Sequence, residues 1–110
     1  VGLAASGNTP FTCKVLEESN KKGALTIAIS NNPKGEILNL GLYKIILNTK
    51  EEVISGSTRL KAGTAQKICL NIISSMVMVK MGRVKNGIMS HMIPTNEKLR
   101  QRKLRINRKL

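Results

Sequence analysis

Two short stretches of this chain put hydroxyls and pliable backbone just where a helix begins, and that combination suits an oxygen-rich anion. In residues 55–67, SGSTRLKAGTAQK, three hydroxyls fall within four residues at Ser55, Ser57 and Thr58. Gly56 between them lets a ligand come close to the backbone. The helix that follows opens with N–H groups that have no intrahelical partner, a ready anion site. The second stretch is Ser6-Gly7-Asn8-Thr9 before Pro10. There the hydroxyls of Ser6 and Thr9, the amides around Gly7 and a helix dipole can form a phosphate cradle. Both stretches also read as plain capping loops, since Ser and Thr are among the commonest N-caps.

The frame that would hold these loops is an alternation of strands and helices. Residues 1–5 are small and apolar, as a buried parallel strand should be. Thr9 is a good N-cap and Pro10 suits the first helical position. That helix carries Phe11, Val15 and Leu16 and stops near Gly23. Residues 24–30, ALTIAIS, form a second strand, and Asn31-Asn32-Pro33-Lys34-Gly35 is a dense turn signal. A short helix over 36–40 precedes a third strand, YKIIL, at 43–47. This order implies an α/β unit with a parallel sheet, whose ligands bind at the carboxyl ends of the strands.

From about Arg59 to Met81 the apolar residues Leu60, Ala65, Ile68, Cys69, Ile72, Ile73, Met76 and Val79 recur at helical spacing, and Leu70, Val77 and Met78 widen the stripe. A helix so apolar is covered on more than one side, by a second subunit or by another part of a longer chain. Its longest apolar run, 68–79, is interrupted by Asn71, Ser74 and Ser75 and is too short for a membrane span. Residues 82–93 read as a connector with two glycine turns. Thr95 then caps a last helix, with Glu97 in its first turn, Leu99, Ile106 and Leu110 along one face, and Lys and Arg over the rest.

Hydrophobic residues make up 41% of the 110, but Phe11 and Tyr43 are the only aromatics, so the core must be aliphatic. The formal net charge is +13, and residues 80–110 hold ten of the 19 cations against one Glu. That imbalance admits nucleic acid, an acidic surface or an anionic ligand as partner. No aromatic stacking platform or nucleic-acid motif accompanies it, which disfavours nucleic acid. Two cysteines, Cys13 and Cys69, make neither a disulfide framework nor a metal site and read as buried thiols in a reducing cytoplasm. No metal cluster, nucleotide-binding glycine fingerprint or nucleophilic triad can be assembled, and no cofactor is implied.

The string at 55–67 closely resembles the signature segment of the N-acetylmuramic acid 6-phosphate etherases, a branch of the sugar isomerase (SIS) superfamily. The resemblance extends to AASGNTP at 4–10, SNNP at 30–33, Glu52–Ile54 and TNEKLR at 95–100. It implies that Ser6, Gly7 and Thr9 bind the phosphate of a phosphosugar and that Ser55, Ser57 and Thr58 border the sugar. Glu52 matches a recurrent family acid that either bonds sugar hydroxyls or favours the following turn. The chain departs from the family pattern at Asn8, where Arg is usual, and at Leu42 and His91, where Asp is usual. Pro94 is a further departure. His91 reads as a surface or structural residue.

The family reaction eliminates the D-lactyl ether of N-acetylmuramic acid 6-phosphate and adds water, giving N-acetylglucosamine 6-phosphate and D-lactate. Its catalytic Glu residues are expected upstream of this segment, so none of the six Glu here is assigned that role. The expected architecture is α/β: a partial three-layer parallel-sheet sandwich of the SIS type over 1–93, then C-terminal helices from 94–110. The expected protein is a cytoplasmic homodimer acting in cell-wall recycling on a phosphorylated amino sugar, with no membrane partner. A non-catalytic phosphosugar-binding regulator is the alternative, and a basic nucleic-acid module the third reading.

Overall fold

The computed structural model describes residues 1–108. Lys109 and Leu110 lie outside the described residues, and with them the expected place of Leu110 on the last helix. The chain divides into two compact units, the first Val1–Cys69 and the second from Leu70 onward.

In the first unit β1 (Gly2–Ala4), β2 (Ile27–Ser30) and β3 (Tyr43–Ile46) form a three-stranded sheet in the order β1-β2-β3. Both pairings are parallel, with Gly2 opposite Ala28 and Ile27 opposite Tyr43. Between the strands run α1 (Pro10–Lys21) and α2 (Ile37–Leu40). Thr9 and Glu36 stand at their N-cap positions. The central strand has Ala28, Ile29 and Ser30 buried in succession, the pattern of a parallel strand covered on both faces. Ala28 and Ala4 share one sheet face, because Ala28 sits opposite Gly2 and side chains alternate along a strand. On that face Cys13 and Leu16 of α1 and Ile37 and Leu38 of α2 close an aliphatic core. Burial raises the Cys13 thiol pKa, with Glu36 and Glu17 adding to the effect. Cys69 is only half-buried, short of the expected burial, because the helix that carries it is largely exposed.

Two buried hydroxyls are fully bonded. Thr26 donates to Asn20 Oδ1 at 2.7 Å and accepts from the Leu42 amide at 3.0 Å, joining the end of α1 to the start of β3. Ser30 donates to the Asn32 carbonyl at 2.9 Å and accepts the Asn32 amide at 3.0 Å, shaping the turn after β2. Satisfying both partners avoids the cost of an orphaned buried polar group.

The long helix α3 (Lys61–Lys80) runs from the first unit into the second. Ala62 is its only buried residue. Ile68, Ile72 and Met76 are half or more exposed, at 54%, 58% and 50%. The apolar run within it is short, but the whole helix has 20 residues and a hydropathy of 1.2, so by length and composition alone it could cross a membrane. The expectation concerned the run 68–79 alone; the helix around it adds residues 61–67 and Lys80.

The second unit holds α3 from Leu70 on, a two-stranded antiparallel sheet of β4 (Val84–Lys85) and β5 (Ile88–Met89), and α4 (Glu97–Asn107). The expected connector is thus a hairpin. Asn86 and Gly87 form its two-residue turn with φ of 50° and 73°, the left-handed pair that this turn requires. The cap of α4 is Asn96 and not Thr95: Asn96 Oδ1 accepts the Leu99 amide at 2.9 Å, the usual bond to the third helical residue. One helix, not several, follows residue 94 among the described residues.

Leu16 is 2% exposed at the centre of the core. Leu16→Ala should lower unfolding free energy by about 2–5 kcal/mol, measured by chemical denaturation of the 110-residue chain.

Candidate functional site

The three parallel strands end at one edge, and the loops that leave them are tied together by side-chain amides. Asn32 Nδ2 donates to the Ser6 carbonyl at 2.9 Å, and Asn8 Oδ1 accepts the Glu36 amide at 2.9 Å. Asn31 Nδ2 donates to the Leu47 carbonyl at 3.0 Å, and its Oδ1 accepts from Gln66 Nε2 at 2.7 Å. Asn31 therefore joins the end of β2, the end of β3 and the body of α3. Gly7 and Gly35 pass so close that a Cβ on Gly7 would lie 2.3 Å from Gly35 Cα, and Gly7 has φ +76°. The Gly7 amide already donates to the Ala4 carbonyl at 3.1 Å. Gly7 thus closes the loop packing and offers no amide to a phosphate.

At the start of α3 the Glu52 carboxylate takes both leading amides, Ala62 N at 2.8 Å and Lys61 N at 3.0 Å. Gly63 N donates to the Thr58 carbonyl at 2.9 Å, and Thr64 N to the Leu60 carbonyl at 3.0 Å. The expected anion site on this helix start is filled by the chain's own carboxylate. Of the two roles open to Glu52, the structure has it fixing the turn and helix. The Ala62 amide holds the Glu52 carboxyl below the usual carboxylate range, and the Lys61 amide and charge reinforce it.

What remains open is a cleft of about 320 Å³ lined by Ala5, Ser6, Asn31, Asn32, Pro33, Asn48, Thr49, Lys50, Glu51, Glu52, Thr58 and Ala62. Of the residues singled out from sequence, Ser6, Glu52 and Thr58 line it; Gly7, Thr9, Ser55 and Ser57 do not. The Ser6 hydroxyl accepts the Asn8 amide at 3.2 Å and keeps its own proton to donate. Thr9 occupies the N-cap position of α1 without a side-chain cap bond. Ser57 N donates to the Ile54 carbonyl at 3.0 Å and Thr58 N to the Gly56 carbonyl at 3.0 Å, so this loop is a tight turn in its own right. Sequence reading missed Asn31–Pro33 and residues 48–51 as walls of the cleft. The strand-edge rule for parallel sheets points to them, because they leave the carboxyl ends of β2 and β3.

A larger hollow of about 600 Å³ lies in the second unit, lined by Met78, Val79, Met81, Val84, Met89 and His91 among others. Its wall is mainly aliphatic and thioether, and it gathers neither hydroxyl loop. His91 is exposed, with Nδ1 2.8 Å from Ser90 Oγ, as a surface residue would be. Among the described residues no cluster of three His, Cys, Asp or Glu could hold a metal. The hydroxyl-lined cleft at the sheet edge is therefore the candidate site.

Fold and cleft together define an α/β domain with an oxygen-donor site at the carboxyl ends of parallel strands. The chain is 47% identical over 106 residues to the N-acetylmuramic acid 6-phosphate etherase of Halalkalibacterium halodurans and 49% to that of Oceanobacillus iheyensis. Each match covers 96% of this chain and 36% of the relative. The same enzyme of Symbiobacterium thermophilum is 45% identical, with 35% of its length covered. No protein-family model matches the chain. Over nearly its whole length the chain is similar to one segment of the N-acetylmuramic acid 6-phosphate etherases. It spans about a third of the length of the curated relatives it matches.

Two variants test this geometry. Gly7→Ala should cost roughly 2–4 kcal/mol of stability through left-handed strain and the clash with Gly35, read by denaturant unfolding. Because the folded Glu52 carboxyl titrates below its ordinary 4.5, its stabilisation is complete above that value and fades as pH falls through the lower folded value. Glu52→Gln should therefore melt below the parent at pH 7, with the gap narrowing as pH falls below 4.5 and the parent's carboxylate protonates.

Proposed function

We propose that this chain is the phosphosugar-binding segment of an N-acetylmuramic acid 6-phosphate etherase. The whole protein cleaves the D-lactyl ether of that sugar to give N-acetylglucosamine 6-phosphate and D-lactate in cell-wall recycling. The observation that carries this reading is the meeting of Ser6 and Thr58, from two loops far apart in sequence, in one cleft at the strand edge. Hydroxyls that can both donate and accept suit sugar hydroxyls and phosphate oxygens alike. The names of the relatives support the substrate.

Elimination needs a base beside the carbon that loses its proton and an acid at the leaving oxygen. Only Glu51 and Glu52 line the cleft, and Glu52 is held by two amides of α3. The catalytic pair belongs to the part of the enzyme this segment does not span, and the segment alone binds without turnover. In the whole enzyme the sheet is extended into a three-layer sandwich of the SIS type over residues 1–93, with a C-terminal helical region from 94. The exposed apolar side of α3 supports a homodimer, and the two free thiols support a cytoplasmic setting.

Isothermal titration with N-acetylglucosamine 6-phosphate tests the reading. Thr58→Val should weaken binding by about 1–1.5 kcal/mol by removing one hydrogen bond, and Ser57→Ala, outside the cleft, should change it much less. Equal losses at the two positions would count against this cleft.

A further inference from the structure

We propose that Lys50 is a ligand-binding residue of the cleft, gripping the phosphoryl group of the bound sugar through its ammonium. The inference rests on the phosphosugar reading given above and names a contact that the sequence motifs do not include.

Three observations converge on it. First, Lys50 has φ 56°. A residue with a Cβ seldom adopts that left-handed backbone, and strain of this kind gathers at binding sites. Second, Lys50 is the one cation among the described residues that line the cleft, where it stands beside Glu51 and Glu52. Lys61 is turned to other work: its Nζ donates to the Glu51 carbonyl. None of the ion pairs among the described residues includes Lys50. Third, the amides at the start of α3 and around Gly7 are already taken. The leading amides of α3 are bonded to Glu52, and the Gly7 and Asn8 amides are bonded within their own loop.

A phosphoryl group carries about 1.5 to 2 negative charges near neutral pH. In this cleft it meets two carboxylates, neutral hydroxyls and Lys50. Without the ammonium the Glu51 and Glu52 carboxylates stand unopposed in the lining; with it, one of the two charges is offset and the phosphoryl group gains a charge-assisted hydrogen bond. Asn8 does not supply that charge, and its carbonyl oxygen is already bonded to the Glu36 amide.

Lys50→Gly separates charge from fold, because glycine accepts the left-handed backbone without strain. Titration calorimetry on the full 110-residue chain should show the Kd for N-acetylglucosamine 6-phosphate rising about 10–100-fold. The melting temperature should stay level or rise. Lys50→Arg should retain most of the affinity, and Glu51→Gln should tighten binding. Binding by the parent with an unchanged Kd in Lys50→Gly would overturn the assignment and leave the phosphosugar reading standing. A parent that binds no phosphosugar would overturn both. A Lys50→Gly loss seen with N-acetylmuramic acid but not with N-acetylglucosamine 6-phosphate would move the lysine to the lactyl carboxylate and overturn the phosphoryl assignment.

Discussion

One carboxylate holding two amides sets the geometry of the candidate site. Glu52 lies nine and ten residues before the N–H groups it accepts, so its bonds to Lys61 and Ala62 close residues 53–60 into a loop. That closure fixes the start of α3 and brings Thr58 to the cleft. The interaction gains from both hydrogen bonding and the helix dipole, since an anion at a helix N-terminus is doubly favoured. It also has a chemical consequence. A helix start that holds its own carboxylate has little left to offer a phosphate, so recognition must fall to hydroxyls, side-chain amides and any cation nearby.

The remaining wall of the cleft is set by asparagines rather than by apolar packing. Asn8, Asn31 and Asn32 each bond backbone or side-chain groups of another segment. An Asn can donate and accept at once, so a single side chain can tie two loops where a Lys or Asp could serve only one polarity. This gives Asn8 a structural account. Where related sequences were expected to carry Arg, this chain places an acceptor that receives the amide at the start of α2. Cation and acceptor are opposite functions at one position, and the exchange leaves the charge of the cleft to be supplied from elsewhere.

Much of the frame was legible from local chemistry. Thr9-Pro10 opened α1 and Gly23 lay just beyond its end; short aliphatic runs became the three strands, and the helical spacing after residue 59 became α3. What escaped depended on contacts remote in sequence or on elements too short to have a period. The β4–β5 hairpin has two residues per strand, so only its Asn86-Gly87 turn could have signalled it. Thr95 and Asn96 are both good caps, and backbone direction chose the second. At the site, composition pointed to every hydroxyl in the two loops, whereas the folded turns admit Ser6 and Thr58 to the cleft and leave Thr9, Ser55 and Ser57 outside it. Periodicity cannot assign a hydroxyl to one side of a tight turn. Nor could it show that Glu52 reaches forward to a helix it does not belong to.

The apolar surface of α3 carries the argument beyond this segment. A 20-residue helix with a single buried residue, and with Ile68, Ile72 and Met76 each half or more exposed, gains little from packing among the described residues. Isolated helices owe most of their stability in proteins to tertiary packing of an apolar face. At about 25 cal/mol per Å² of apolar surface, leaving such residues in water forgoes more than most other features of the fold could return. The start of the same helix is tied to the rest of the first unit through Glu52 and Gln66. An uncovered apolar helix is the expected appearance of a segment covering about a third of its relatives' length. In the proposed whole enzyme, the surface that covers α3 would come from the rest of the chain or from a second subunit. The same assembly would bring the catalytic carboxylates to the cleft, coupling the burial of that helix to completion of the active site.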